Sequence, residues 1–345
     1  MKNFLLIDGN SIMNRAFYGI MGSNLLTNKD GKYTNALYGF LNILFKNLEM
    51  IKPDYICVAF DSKTAANVRK QKYDGYKKSR HGMPDELREQ VPLIKDVLSS
   101  MNIPILTKEG YEADDIIGTI AKKYKDAAEV RVISGDRDLL QLAEDKIKIR
   151  IPKTVKGSTQ IYDYFPEDVK RDYSVSPKEF IDVKALMGDS SDNVPGVAGI
   201  GEKTATALIA EYHSLDNLYE NLENLKPRAA KLLTEGKEDA YFSKMLVTIN
   251  CEVPIEVSLE DMKGDELYNA ESLEMMKTLE FKTLIKRFEA AGIKSKENFE
   301  FNIVNIEDVK ELDKIKTSQP ALELIYDNNK SPKQLIALSV CADRD

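Results

Sequence analysis

Phe4-Leu5-Leu6-Ile7-Asp8, Tyr55-Ile56-Cys57-Val58-Ala59-Phe60-Asp61 and Val130-Arg131-Val132-Ile133-Ser134-Gly135-Asp136-Arg137-Asp138 share one form: an apolar run that ends at or just before an aspartate. With helical pattern between them, such runs predict parallel strands of an α/β sheet. Ligands of these sheets sit outside the carboxyl ends of the strands. Acids gathered on that edge repel one another unless a cation sits among them. An all-oxygen donor set favours Mg2+, with Mn2+ as the alternative.

The chain has 345 residues, enough for two or three domains, and 43% of them are hydrophobic, an ordinary fraction for a buried core. The net charge of -7 argues against wholesale coating of nucleic acid but allows a local basic surface. Cys57, Cys251 and Cys341 form no close-spaced pair, so a reduced, cytoplasmic protein is expected rather than a disulfide framework. No signal peptide or membrane-spanning run is read. His81 and His213 are the two histidines, which makes a Ser-His-Asp hydrolase a poor fit.

Strand and helix patterns alternate over 1–172, which predicts a mostly parallel sheet flanked by helices. Within it, about 70–105 reads as an insertion above the sheet edge, because Pro84 to Met101 is charged and helix-like with no strand partner. Residues 173–291 read as helical, and 292–300 as a polar linker. Beyond it, 321–326 and 334–340 read as two strands of a second domain that is incomplete here, since two strands alone make no core.

Further acids stand at Glu112-Ala113-Asp114-Asp115 and at Asp189-Ser190-Ser191-Asp192. Each group alone has a plain local reading, as helix-start acids favouring the macrodipole or as turn residues. Together they put an acid at every connection on one sheet edge. Val194-Pro195-Gly196-Val197-Ala198-Gly199-Ile200-Gly201-Glu202-Lys203-Thr204 then reads as a tight turn opening a helix. Its free backbone N–H groups suit a phosphate, with Lys203 and Thr204 at the helix start, and a helix-helix turn with C-cap glycines is the simpler alternative. Positive φ is expected at Gly199 and Gly201. Residues 63–81 hold Lys63, Arg69, Lys70, Lys72, Lys77, Lys78 and Arg80, interleaved with Tyr73 and Tyr76. Such a run is usually a solvated loop, but directly after Asp61 it overhangs the acids, where cations neutralise phosphates and rings stack on bases. Arg15 follows Asp8 at similar reach.

These stretches, together with Arg15-Ala16-Phe17-Tyr18, Thr34-Asn35-Ala36-Leu37-Tyr38-Gly39-Phe40 and Tyr76-Lys77-Lys78-Ser79-Arg80, resemble the 5′-nuclease (flap endonuclease) domain of bacterial DNA polymerase I over about residues 1–290. The resemblance implies a central sheet, a helical arch and a helix-three-turn-helix region. It implies two divalent cations, the first among Asp8, Asp61, Glu112, Asp114 and Asp115, the second among Asp136, Asp138, Asp189 and Asp192. It further implies Lys77, Arg80, Arg15 and Arg69 at the scissile phosphate, DNA contacts from Tyr73, Tyr76, Lys78, Gly196, Gly199, Gly201, Lys203 and Thr204, and a monovalent cation at the hairpin. Implied substrates are double-stranded DNA with a 5′ flap, nick or gap, and RNA primers, with a polymerase domain in the same full-length chain. The tail resembles the start of a degenerate 3′–5′ exonuclease-like domain, because Ala321-Leu322-Glu323-Leu324 lacks a complete Asp-x-Glu pair. One departure stands out: Val68-Arg69-Lys70-Gln71 replaces the family's Phe-Arg-His-Glu. The rival readings are a stand-alone flap endonuclease, a PIN-type ribonuclease, which would lack the insertion and the glycine hairpin, and a non-catalytic DNA-binding module, which would need no acids.

Overall fold

β1 (Lys2–Asp8) lies at the centre of a six-stranded sheet because both of its faces are apolar. Leu5 and Ile7 pack with Ile56 and Val58 against the helix Asn35–Ile51, while Phe4 and Leu6 pack with Cys57, Val130 and Val132 against the helix Ala113–Tyr124. Sheets covered on both sides show unbroken apolar runs instead of alternation, which is what the sequence displays. The computed structural model describes residues 1–20, 26–29, 31–62, 67–80, 82–155, 158–294, 321–327 and 334–341. Lys63, His81 and residues 295–300 of the expected linker lie outside the described residues.

The other strands are β2 (Tyr55–Ala59), β3 (Ile105–Leu106), β4 (Ala128–Ile133), β5 (Ile147–Val155) and β6 (Ser158–Tyr164), in the order β3-β2-β1-β4-β5-β6. β1 pairs in parallel with β2 and with β4, placing Leu6 opposite both Cys57 and Val132. β3 and β5 continue the parallel sheet, and β6 closes one edge antiparallel to β5. The chain winds outward through β2 and β3, then returns to place β4 on the other side of β1. That reversal opens a crevice at the carboxyl ends of β1 and β4, the usual ligand position in such sheets.

The stretch expected to be an insertion is, from residue 90 onward, part of the core. The helix Gln90–Ser100 buries Ile94, Val97 and Leu98 at helical spacing and leads into β3, which pairs with β2. Fully buried Gln90 accepts hydrogen bonds from the backbone of Ala36 (2.8 Å) and Leu37 (3.1 Å), capping the helix Asn35–Ile51. Its charged residues are the solvent face of an amphipathic helix, and charge alone misled the reading. The helical region likewise does not stay apart to residue 291. The helices Ala270–Thr278 and Lys282–Ala290 return to the first core, where Phe288 meets Phe45 edge-on.

Between Pro177–Met187 and Glu202–Tyr212 the chain makes the glycine hairpin. Val197 and Ile200 are buried beneath it, and the Gly196 N–H is held by Ser243 Oγ at 2.9 Å. Gly196 (φ 61°) and Gly199 (φ 84°) are left-handed. Gly201 is not: it is the extended N-cap of the next helix at φ -96°, with open space where a Cβ would stand. The positive φ expected there is therefore corrected. A second compact unit begins at Glu297 and contains β7 (Ala321–Asp327) and β8 (Gln334–Cys341), an antiparallel pair with a register shift at Ile325/Tyr326.

The two hairpin glycines should respond differently to substitution. A Cβ at Gly196 would stand 2.4 Å from the Gly188 backbone nitrogen in a conformation that already costs an L-residue about 1–2 kcal/mol, so Gly196→Ala should lower the melting temperature clearly. Gly201→Ser installs a good N-cap and should leave stability unchanged or raise it. Thermal melts of both variants check this, and equal losses would contradict the hairpin geometry.

Candidate active site

The acids converge on one cleft of about 480 Å3 at the carboxyl edge of the sheet. Asp8, Asp61, Glu112, Asp114, Asp136, Asp138 and Asp189 line it, together with Lys77, Arg80, Arg137 and Lys184. Strand ends deliver Asp8 and Asp61, the turn after β4 delivers Asp136 and Asp138, and the start of the helix Ala113–Tyr124 delivers Asp114.

The acids differ in how many of their acceptor positions are taken. A carboxylate offers about four. Those of Asp115 are filled: Arg69 donates to both oxygens at 2.8 Å, the Asn250 amide to Oδ1 at 2.8 Å, and the Glu112 amide to Oδ2 at 3.3 Å. Glu112 is filled as well, by Asn67 (2.8 Å) and Lys77 (2.5 Å) on Oε1 and by Arg69 (3.3 Å) and Tyr76 (3.1 Å) on Oε2. Asp115, expected beside a first cation, does not line the cleft, and its acceptor positions are taken up inside the protein. Its oxygens hold the fold together instead.

Asp8, Asp61, Asp114 and Asp136 remain partly open. Asp8 accepts from the Ser11 amide (2.9 Å) and Ser134 Oγ (2.6 Å), and Asp61 from the Ala113 amide (2.8 Å). Asp136 accepts from the Asp138 amide at 2.9 Å, and Asp114 lines the cleft with it. Burial pushes Asp8 up to about 7 despite its two hydrogen bonds, with Asp61 and Asp136 adding to the rise. Burial, reinforced by Asp8 and Asp136, carries Asp114 well above the usual carboxylate range, and burial also raises Asp61. Burial would raise Glu112 too, but Lys77 and Arg69 outweigh it and hold it low.

Lys184 is a cation that sequence reasoning missed. From the helix Pro177–Met187 it reaches Asp138 at 2.9 Å and Asp189 at 2.7 Å. Burial would lower its ammonium, yet the two acids outweigh that and raise it. Burial and the nearby Asp136 lift Asp138 to about 6, while Lys184 and Ser191 overcome burial and bring Asp189 down to about 2. The only sequence signal was a lysine inside the apolar run Val183-Lys184-Ala185-Leu186. Asp192 stands at the rim, bound by Arg80 Nε at 2.7 Å and 3.8 Å from Lys77.

Among the expected cations, Lys77 and Arg80 reach the cleft. The Lys77 backbone is left-handed (φ 57°) and its N–H donates to the Asp192 carbonyl at 2.9 Å. Burial would lower the Lys77 ammonium, but Glu112 and Asp192 hold it above its usual value. Arg15 does not line the cleft, and burial lowers its pKa. Arg69, expected at the phosphate, does not line the cleft and donates instead to Glu112, Asp115 and the carbonyls of Leu246 and Thr248. Tyr76 is 4% exposed and spends its hydroxyl on Glu112, so its ring cannot stack on a base. Tyr73 is half-buried with its ring edge-on to Phe242, whereas Lys78, Gly199, Gly201, Lys203 and Thr204 are exposed. Gly196 is buried as the backbone support of the hairpin.

The donor chemistry of the cleft fits divalent cations: all-oxygen, acid-rich, partly desolvated and repelling itself. Among the described residues no three acids close into a preformed cage, and the open carboxylates line the cleft together with its cations.

Residues 3–174 match the model of the 5′-3′ exonuclease N-terminal resolvase-like domain, and residues 175–270 match the 5′-3′ exonuclease C-terminal SAM fold. DNA polymerase I of Caldicellulosiruptor bescii is 43% identical over 298 residues, covering 86% of this chain and 34% of that protein. DNA polymerase I of Bacillus subtilis is 42% identical over 310 residues, covering 89% of this chain and 34% of that protein. The chain thus spans about a third of the length of these curated relatives. In fold it is similar to the phage T5 D15 protein co-crystallised with metal ions (TM-score 0.57, 21% identity, 84% of this chain and 98% of that one). It is similar also to the catalytic core of Rad2 in complex with a DNA substrate (TM-score 0.52, 18% identity, 83% and 91%). The chain belongs to the 5′-3′ exonuclease family, with the mostly parallel nuclease fold of the 5′-3′ exonucleases and flap endonucleases.

Proposed function

We propose that this chain hydrolyses phosphodiesters of DNA and of RNA primers at 5′ flaps, nicks and gaps, as the nuclease part of a cytoplasmic DNA polymerase I acting in replication and repair. The observation that carries the reading is the pairing, in one cleft, of four partly open aspartates (Asp8, Asp61, Asp114, Asp136) with two cations, Lys77 and Arg80. The matched relatives support the polymerase context, and the T5 protein co-crystallised with metal ions and the Rad2 core in complex with a DNA substrate support the cofactor and the substrate. The inner nuclease core is proposed as about 1–172, the helical DNA-binding region as about 173–270, and the tail as the start of a second domain.

Divalent cations, Mg2+ favoured and Mn2+ admissible, would supply the Lewis-acid charge and the hydroxide at neutral pH that phosphodiester hydrolysis needs. Asp8, Asp61, Asp114 and Asp136 would hold them, with Asp138, Asp189 and Asp192 acting at longer range. Lys77 is held by Glu112 and Asp192 at the cleft wall, and turning its ammonium toward the scissile phosphate offsets charge that develops as the bond breaks. Arg80 performs the same service from the rim. The exposed helix start at Gly201–Lys203 offers its first-turn N–H groups to a backbone phosphate, which holds the duplex without reading its sequence. A monovalent cation at this hairpin is part of the same reading.

The reading is tested by single-turnover cleavage of a 5′-flap duplex. Wild-type protein should cut in Mg2+ and stop in EDTA, and Lys77→Ala should slow the bound-state rate by about 100-fold with little change in duplex affinity. Cleavage that persists in EDTA, or a Lys77→Ala variant that merely binds more weakly, would contradict it.

The raised acids also set a pH dependence. Asp8 and Asp138 hold protons more tightly in the fold (about 7 and about 6) than in the unfolded chain. The folded state therefore binds more protons between about pH 4 and 7, and stability without metal falls as pH rises through that window. Thermal melts in EDTA should decline from pH 5 to 8, and the gain from Mg2+ should be larger at pH 8. A metal gain that is the same at both values would contradict the assignment.

A further inference from the structure

The chain that leaves the helix Lys237–Val247, from its last two residues onward, is gripped residue by residue. Arg69 donates to the carbonyls of Leu246 and Thr248, both at 2.8 Å. Gln141 donates to the Val247 carbonyl (3.0 Å) and accepts from the Ile249 amide (2.9 Å). Asp115 accepts from the Asn250 amide at 2.8 Å. Five consecutive backbone units are thus held by three side chains of the nuclease core.

Both grips end at the acids. The remaining donors of Arg69 go to Asp115 and Glu112, so all five of its N–H groups are committed inside the protein and none is left for a phosphate. Gln141 also donates to the Asp138 carbonyl at 2.9 Å. The last turns of the same helix also carry the hairpin: Ser243 holds the Gly196 amide, and Leu246 and Val247 pack with Val194. Close approach is built in, because a Cβ at Gly118 would stand 2.8 Å from Ile249 Cγ2.

We propose that the 246–250 strap fixes the offset between duplex grip and acid cleft, and that Arg69 and Gln141 are positioning residues that set which phosphodiester is cut. The proposal rests on the nuclease reading above. A planar five-donor fork and a two-way amide define distance and orientation together, which a single flexible contact does not. Arg69→Lys keeps the charge but loses the fork, and Gln141→Met removes the second grip while leaving the first.

The experiment is single-turnover cleavage of a 5′-flap duplex in Mg2+, with products resolved to one nucleotide, alongside duplex affinity measured without divalent cation. Wild-type protein should give one dominant product. Both variants should lose about 10- to 100-fold in rate at that position and gain products displaced from it, with duplex affinity unchanged. Slower cutting at the same single position in both variants would overturn the proposal, as would weaker duplex binding with the cut site unmoved. Should Arg69→Lys fail to fold, Gln141→Met decides alone. A wild-type protein that leaves the flap intact overturns the nuclease reading itself, a result distinct from an unmoved cut site.

Discussion

Carboxylates brought out of water beside one another are the constraint on which the rest of this structure depends. The topology forces them together: β1 and β4 lie side by side with a chain reversal between them, and their ends carry Asp8 and Asp136. Burial makes such a group hold protons it would otherwise release, as Asp8 does, and repulsion from its neighbours adds to this. The protein answers in two ways. It saturates some acids with its own donors, Glu112 and Asp115 through Arg69, Lys77, Tyr76 and Asn67, and Asp189 through Lys184 and Ser191. It leaves Asp8, Asp61, Asp114 and Asp136 with oxygen positions to spare.

That division gives one acidic motif two roles. In Glu112-Ala113-Asp114-Asp115, helical geometry turns Asp114 toward the cleft and Asp115 toward the body of the protein. Asp115, nearly buried, meets the guanidinium of Arg69, and removing one partner of such a pair costs about 3–5 kcal/mol because a charge is then stranded. Loss of function on mutating Asp115 or Arg69 would therefore report on architecture as much as on chemistry.

The sheet was legible because its signal is local. An apolar run ending on aspartate carries both the strand and the placement of its acid, and the hairpin glycines advertise their turn. The division among the acids was not legible, because it depends on partners far away in sequence: Arg69 meets Asp115 across 46 positions and Leu246 across 177. Tyr76 looked like a stacking ring because charge and aromatics alternate around it, yet its ring is buried and its hydroxyl donates inward to Glu112. Gln90–Ser100 looked like an insertion because its solvent face is charged, while its spacing of Ile94, Val97 and Leu98 carried the correct message. Lys184 gave almost no sign, since one lysine in an apolar helix says nothing of the two acids it will meet.

The central claim is that the open aspartates, and not the saturated ones, create the demand for divalent cations. Calorimetric titration of Mn2+ into the protein without nucleic acid tests it most directly. Wild-type protein should bind Mn2+ with proton release that shrinks as pH rises past about 7, and Asp114→Asn should weaken binding. Gln141→Met, which alters no acid, should leave it unchanged. Binding that is indifferent to Asp114→Asn, or that releases no protons below pH 7, would contradict the account.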